Sequence, residues 1–374
     1  MTTKPKAPFR SAIVGSFIRP EILKEARESF KNGEINSADL REIEDKEIIK
    51  VVEKEKAAGI RAVTDGEFRR SCWNLDFFLG LEGIDKLEID NTVLFKDQTK
   101  KSESIRVTGK IAFSDHPMLE DFEFMTSIMS GDVIIKQTLP APAQLLNELL
   151  RNDNKTITEL VYDDIQELMS DISQAYRDAI HAFHEIGCRY MQFDDATWLN
   201  LCNDKFIEQL NQRDLDYRTL AEMYAKVNTE AFANYPEDMV IGLNACRVPG
   251  KKYIPRDTYD KVADILFKIP VDAFFVEFDN DKSGIFESLS YVENQKVVLG
   301  LINPLSPHLE DKEMIKRRIR EVARYVPMEQ ICLSTQSGFA PFDDTSLISE
   351  EEQWEKVKWI VEISKDMWGE DTIV

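Results

Sequence analysis

Carboxylates, guanidinium groups, amides and one thiol recur at a single kind of place in this sequence, immediately after a short apolar run. Asp65 and Glu67 follow residues 61–64, with Arg69 and Arg70 close behind. Asp194 and Asp195 follow 190–193, and Asn244, Cys246 and Arg247 follow 239–243. Glu277 and Asp279 lie at the end of 273–278, Ser16 follows 10–15, and Asn303 follows 297–302. Thr335, Gln336, Ser337 and Gly338 follow 331–334. Carboxylates after three of these runs suit a cationic group such as an amino-acid ammonium, while Arg69 and Arg70 suit a carboxylate held by paired hydrogen bonds. Both halves of a zwitterion then have partners. Asp194, Glu67 and Asp65 are the candidates for catalysis; Ser16, Glu67, Arg69, Arg70, Asp194 and Gln336 are the candidates for substrate contact.

A polar residue at any one such place carries little weight, because chain ends that meet water are polar; the convergence is what counts. Asp194 and Asp195 are neighbours on a strand and point to opposite sides, so one faces the site and the other caps the next helix. Cys246 has two readings, metal ligand or nucleophile against small buried residue, and Cys72, Cys188, Cys202 and Cys332 default to the latter. His181 and His184 fall in a helical stretch away from the runs and read as structural, whereas His308 is a weak acid–base candidate.

The elements that must position these groups follow from the apolar pattern. Eight runs (10–15, 61–64, 133–139, 190–193, 239–243, 273–278, 297–302, 331–334) alternate with helical periodicity and are continuously apolar, as in a parallel sheet covered on both faces. Gly59 and Gly187 precede the second and fourth runs and suit the left-handed residue that ends a helix. Met314, Ile315, Ile319, Val322 and Ala323 mark one face of the helix before the eighth run; Trp354, Val357 and Val361 do so for the closing helix. The expected architecture is an α/β fold, a (β/α)₈ TIM barrel of one domain over 1–374, whose active site gathers at the C-terminal strand ends. Two regions break the alternation. Runs at 87–90, 92–95 and 104–111 read as a β-hairpin within a rim insertion of about 80–130, and 143–188 reads as helix with a break at Asn152-Asp153-Asn154.

A formal net charge of −21 repels phosphate backbones and anionic lipid, so neither nucleic acid nor a membrane surface is an expected partner. No apolar stretch approaches the roughly 20 residues that cross a bilayer. The start Met1-Thr2-Thr3-Lys4-Pro5-Lys6 leads into no signal-peptide core, and five scattered cysteines are no disulfide framework. The expectation is a cytoplasmic protein with a small-molecule thiol or amino-acid partner, homo-oligomerisation being left open.

Several of these segments resemble the catalytic barrel of cobalamin-independent methionine synthase, in particular its short single-barrel relatives. They are Pro8-Phe9-Arg10 with Val14-Gly15-Ser16; Thr64-Asp65-Gly66-Glu67-Phe68-Arg69-Arg70-Ser71; Gln192-Phe193-Asp194-Asp195; Cys246-Arg247; Glu277; Leu309-Glu310-Asp311-Lys312; and Cys332-Leu333-Ser334-Thr335-Gln336-Ser337-Gly338-Phe339-Ala340. The resemblance spans nearly the whole chain. It implies methyl transfer to a thiol, typically homocysteine, with zinc as cofactor holding the acceptor sulfur as a thiolate. It places Ser16, Glu67 and Asp194 around the amino acid. The long methionine synthases match only over their second half; the implied donor is a methylated folate or another methyl carrier, such as a methylated corrinoid or a small methylated compound.

The chain departs from the pattern at the metal. The family's His-x-Cys reads Asn244-Ala245-Cys246, its second cysteine reads Ser337, and Ile13 and Asn74 stand where short relatives often carry histidine. Cys246 and Glu277 remain. An amide and a hydroxyl are poor zinc donors, so the four-ligand cage is degraded. Three readings are open: a methyltransferase with an altered metal site; a metal-free lyase or decarboxylase using Asp65, Glu67, Arg69 and Asp194, for which the similar uroporphyrinogen decarboxylase barrels give a precedent; or a non-catalytic amino-acid-binding paralogue.

Overall fold

Seven of the eight apolar runs form strands in the computed structural model, which describes residues 7–89, 102–247, 259–278, 286–342 and 346–369. The strands are β1 (Ala62–Val63), β2 (Glu82–Ile89), β3 (Ser102–Ala112), β4 (Ile134–Ile135), β5 (Gln137–Pro140), β6 (Tyr190–Asp195), β7 (Val240–Ala245), β8 (Ala273–Glu277), β9 (Lys296–Ile302) and β10 (Ile331–Thr335). Six of them lie parallel in the order β10-β9-β8-β7-β6-β5, and β4 pairs in parallel with β1. The run at 133–139 is thus divided at Lys136 into β4 and β5.

The run at 10–15 is the exception. Its ladder shrinks to one parallel bridge between Ser11 and Leu333, in which Leu333 N donates to Arg10 O (2.8 Å) and Ala12 N to Leu333 O (2.9 Å). Beyond the bridge, side chains replace a neighbouring strand as donors. Lys136 Nζ donates to Ile13 O and Val14 O, and Thr64 Oγ1 donates to Gly15 O. Phe17 N then donates to Gly66 O (3.0 Å) in the loop after β1. The architecture is the expected (β/α)₈ barrel, with its first strand held mainly by side-chain hydrogen bonds.

Helices form where the sequence caps them. Ser37–Ala58 starts in a capping box on Asn36 and ends at Gly59 with φ 96°, and Gly187 (φ 100°) follows Ile165–Glu185. Lys312–Val322 buries Ile315, Ile319 and Val322, and Glu350–Trp368 buries Val357, Ile360 and Val361. The region expected as one broken helix is three: Pro142–Leu149, Asn152–Thr158 and Ile165–Glu185. The expected hairpin is β2 antiparallel to β3, whose Ile105, Val107 and Ile111 join the main core; the run at 92–95 lies outside the described residues.

Within the fully buried strands the two faces carry different chemistry. Met191, Phe193, Ile241, Leu243, Phe274, Val276, Leu299 and Leu333 pack into the helix layer, whereas Tyr190, Val240, Phe275, Val298 and Cys332 pack together on the opposite, inner face. Counting by twos along β6, Tyr190 leads to Gln192 and Asp194; along β7, Val240 leads to Gly242 and Asn244, with Cys246 just beyond; along β8, Phe275 leads to Glu277. The polar strand ends therefore line the barrel's inner mouth.

Candidate functional site

The loop after β1 delivers Glu67. Its backbone sits at φ 60°, in the left-handed region that disfavours a non-glycine residue, directly after Gly66 at φ 67°. Several bonds hold the turn: Glu67 N donates to Asp65 Oδ1 (2.8 Å), and the buried Arg19 donates through Nη2 to Glu67 O (2.9 Å) and Arg70 O (3.0 Å). Asp65 thus supports the turn. Glu67 Oε1 accepts from Thr138 Oγ1 (2.8 Å) and lies 3.5 Å from Arg70 Nη1. Among the described residues nothing hydrogen-bonds to Glu67 Oε2.

Arg70 is buried and donates through Nη2 to Thr138 O (2.6 Å), but its Nη1 makes no hydrogen bond. Burial opposes its charge, yet the carboxylates of Glu67, Asp65, Asp194 and Asp76 outweigh this and push its pKa up. Arg69 does not join it. Its guanidinium turns outward to Asp45, Glu44 (3.6 Å) and Asp121 (3.3 Å) and lies over the Phe124 ring. The expected arginine pair is split because consecutive residues leave this turn in opposite directions.

Asp194 and Asp195 divide as period-two geometry requires. Asp195 faces the helix layer, where it accepts from Thr197 N and Oγ1, Trp198 Nε1 and Asn228 Nδ2. Asp194 faces the mouth. Its Oδ1 accepts from Gln192 Nε2 (2.8 Å) and Asn244 Nδ2 (2.7 Å), while among the described residues Oδ2 has no hydrogen-bond partner. Burial, followed by the charge of Glu67, lifts its pKa to about 7 against the opposing effect of Asn244, Gln192 and Lys136. A carboxyl held up in this way gains most from an incoming cation.

Ser16 is buried against the loop after β10, and the Gly15 before it lies against Glu67. A Cβ placed on Gly15 would stand 3.2 Å from Glu67 Oε1, and one on Gly338 would stand 2.0 Å from Ser16 Oγ. Gln336 is also buried and donates its backbone N–H to Ile302 O (2.9 Å). Ser16, Glu67, Arg70 and Asp194 are thus gathered at one mouth. His308 stands exposed on the loop after β9, where its carbonyl accepts from Lys356, and His184 pairs with Asp238.

The four positions at which the resemblance implies zinc do not fit it. The Asn244 amide is engaged with Asp194, and Ser337 Oγ donates to Gly338 O (3.1 Å). Glu277 accepts from Arg247 N (3.2 Å) and pairs with Arg247 Nε (3.6 Å). Burial pushes the Cys246 thiol well up, with Asp194, Glu277 and Asp195 adding to the effect, and the side chain packs with Trp73 and Ala196. Among the described residues no three histidine, cysteine or acidic side chains form a cluster able to hold a metal.

Lys136 has no place among the sequence candidates, although a lysine inside an otherwise apolar strand is the available signal, since a buried ammonium requires acceptors. It is 3% exposed, and its three donors meet Ile13 O, Val14 O (2.7 Å) and Gln192 Oε1 (2.8 Å). Arg19 and Thr138, which hold the Glu67 turn and its carboxylate, carry no comparable signal.

The family described as cobalamin-independent synthase, catalytic domain, matches residues 9–362. YxjH of Bacillus subtilis (strain 168) is 40% identical over 97% of this chain and 96% of its own length. The methionine synthase of Saccharolobus solfataricus is 24% identical over 98% of this chain and 96% of its own. The crystal structure of a Listeria monocytogenes protein, named as a candidate vitamin-B12 independent methionine synthase, aligns with a TM-score of 0.77 and 36% identity over 98% of this chain and 100% of that one. The chain belongs to the cobalamin-independent methionine synthase catalytic-domain family.

Proposed function

We propose that the barrel mouth binds a sulfur-containing α-amino acid and that the chain is an S-methyltransferase of the methionine synthase type, with homocysteine as the methyl acceptor. One observation carries the reading. Glu67 and Asp194 each keep one carboxylate oxygen without a hydrogen bond among the described residues, and Arg70 Nη1 in the same mouth is likewise unsatisfied. An ammonium placed between the carboxylates and a carboxylate placed on Arg70 satisfy all three. In the transfer the donor–CH₃ bond breaks with its electron pair left on the donor, the S–CH₃ bond forms, and the thiol proton is released. Family membership supports this reaction class, while the donor set at Asn244, Cys246, Glu277 and Ser337 favours chemistry without the four-ligand zinc cage. That same donor set supports a second reading, amino-acid binding without transfer.

Calorimetric titration with L-methionine, L-homocysteine and their analogues lacking the amine or the carboxylate tests the clasp. The amino acids are expected to bind and each truncated analogue to lose about tenfold or more. Equal binding of the amine-free analogue would sink the assignment of Glu67 and Asp194. Incubation with L-homocysteine and 5-methyltetrahydrofolate or methylcobalamin, read by mass spectrometry for methionine, separates transfer from binding alone.

A further inference from the structure

Lys136 lies one layer below the mouth and bonds to residues that lead into it from two strands. Two of its N–H donors hold the carbonyls of Ile13 and Val14, the residues that lead into Gly15 and Ser16. Its third holds Gln192 Oε1 at 2.8 Å. With that oxygen taken, Gln192 Nε2 must face the other way, and its two hydrogens go to Val14 O (2.9 Å) and Asp194 Oδ1 (2.8 Å). The orientation has no good alternative, because a flipped amide would aim its oxygen at two acceptors and its NH₂ at an ammonium. Asp194 makes no ion pair among the described residues, and the Lys136 charge favours its ionised form.

We propose that Lys136 is the positioning residue of the site: through Gln192 it fixes Asp194 with Oδ1 occupied and Oδ2 turned to the ligand. This rests on the amino-acid reading above. All three ammonium donors are used within the protein, so Lys136 acts through its neighbours and does not touch the ligand. It also counters the carboxylate charge when the ammonium of the ligand is absent, which keeps a buried acidic pair tolerable in the empty barrel.

The test is calorimetric titration of the full chain with L-methionine and L-homocysteine. Lys136→Met is expected to weaken whichever probe binds by about tenfold, the scale of a hydrogen bond to a charged group. In an Asp194→Asn background the same substitution is expected to cost less than about twofold, because the effect passes through Asp194. Gln192→Leu cuts the relay while leaving Lys136 its two carbonyls, and serves if Lys136→Met does not fold; it is expected to show the same loss and the same non-additivity. Wild-type affinity in either folded variant, or losses that add in the double variants, overturns the inference alone. A wild-type chain that binds neither probe overturns the amino-acid reading and this inference with it.

Discussion

Asn244 Nδ2 donates to Asp194 Oδ1 at 2.7 Å, and the two residues are paired in register on β7 and β6. The position at which the family resemblance implies a metal-binding histidine is therefore occupied by an amide that serves a carboxylate. The substitution does more than delete a ligand. It supplies Asp194 with a second donor, so the amino-acid end of the mouth is reinforced by a residue drawn from the metal end.

Metal content is the first consequence. Protein purified without chelator is expected to carry less than about a tenth of an equivalent of zinc, since one thiol and an arginine-paired glutamate beside an amide and a hydroxyl do not make a tight site. Asn244→His together with Ser337→Cys restores four donors beside Cys246 and Glu277, and elemental analysis should then approach about one equivalent. Stoichiometric zinc in the wild type would overturn the reading of the donor set. A double variant that gains none would show that Ser337 and Asn244 do not face Cys246.

Arg69 and Arg70 are predicted to fail differently. Arg69→Ala removes one of the two arginine partners of each of Asp45, Glu44 and Asp121 and should cost stability, about 1–3 kcal/mol, with little change in probe affinity. Arg70→Lys keeps a charge but loses the forked geometry, and should weaken the amino-acid probes while sparing analogues that lack the carboxylate. Thermal unfolding and calorimetry on the two variants decide the matter; ligand loss in Arg69→Ala would contradict the observed split.

Much of this is legible in the sequence because it depends on period and punctuation. The apolar runs mark the barrel strands, Gly59 and Gly187 mark helix ends, and adjacency alone separates Asp194 from Asp195. The first strand reads as regular, and is not, because its apolar residues 12–14 resemble any buried strand. Its carbonyls are met by Lys136 and Thr64, a long-range pairing that no local pattern encodes. Arg69 reads as a partner of Arg70 for a similar reason. The Gly66–Glu67 turn sets the direction in which residues 68–70 leave it, and the acidic partners of Arg69 come from helices whose position a local reading does not fix.

Glu55 gives the pH prediction. It is fully buried, accepts from Thr64 N (2.8 Å), and lies 3.2 Å from Thr64 Oγ1, whose single proton goes to Gly15 O. Burial raises the pKa of this carboxyl well above its ordinary value, against the opposing effect of the Thr64 hydrogen bonds and the Lys136 charge. A folded-state pKa above the unfolded one of about 4.3 means the folded chain holds the extra proton, so this stability is fully present below that value and lost as pH rises through the folded pKa. Glu55→Gln keeps a donor and an acceptor without a proton to lose. It should match the wild type below about pH 4 and become progressively more stable than it as pH rises above about 4.3, by up to about 1.4 kcal/mol per pH unit until the folded-state pKa is passed. Parallel melting curves for the two proteins would refute a neutral Glu55.

The contact between Ser16 and Gly338 predicts a coupled pair. A Cβ on Gly338 would meet Ser16 Oγ at 2.0 Å, Ser16 Cβ at 3.1 Å and Ser16 N at 3.3 Å, while Phe339 N already donates to Ser16 O (2.9 Å). The buried hydroxyl must leave its rotamer and the Cβ and N contacts must open by a few tenths of an ångström, so Gly338→Ala should destabilise by about 1–3 kcal/mol. Ser16 would move with its loop, so weaker binding of L-methionine is expected alongside. Ser16→Ala introduced into that background removes the worst overlap, and part of the lost stability should return, giving a coupling of about 1 kcal/mol in the double-mutant cycle. If the two substitutions simply add in thermal unfolding, the residues do not share the tight contact that ties the first strand to the last at the mouth.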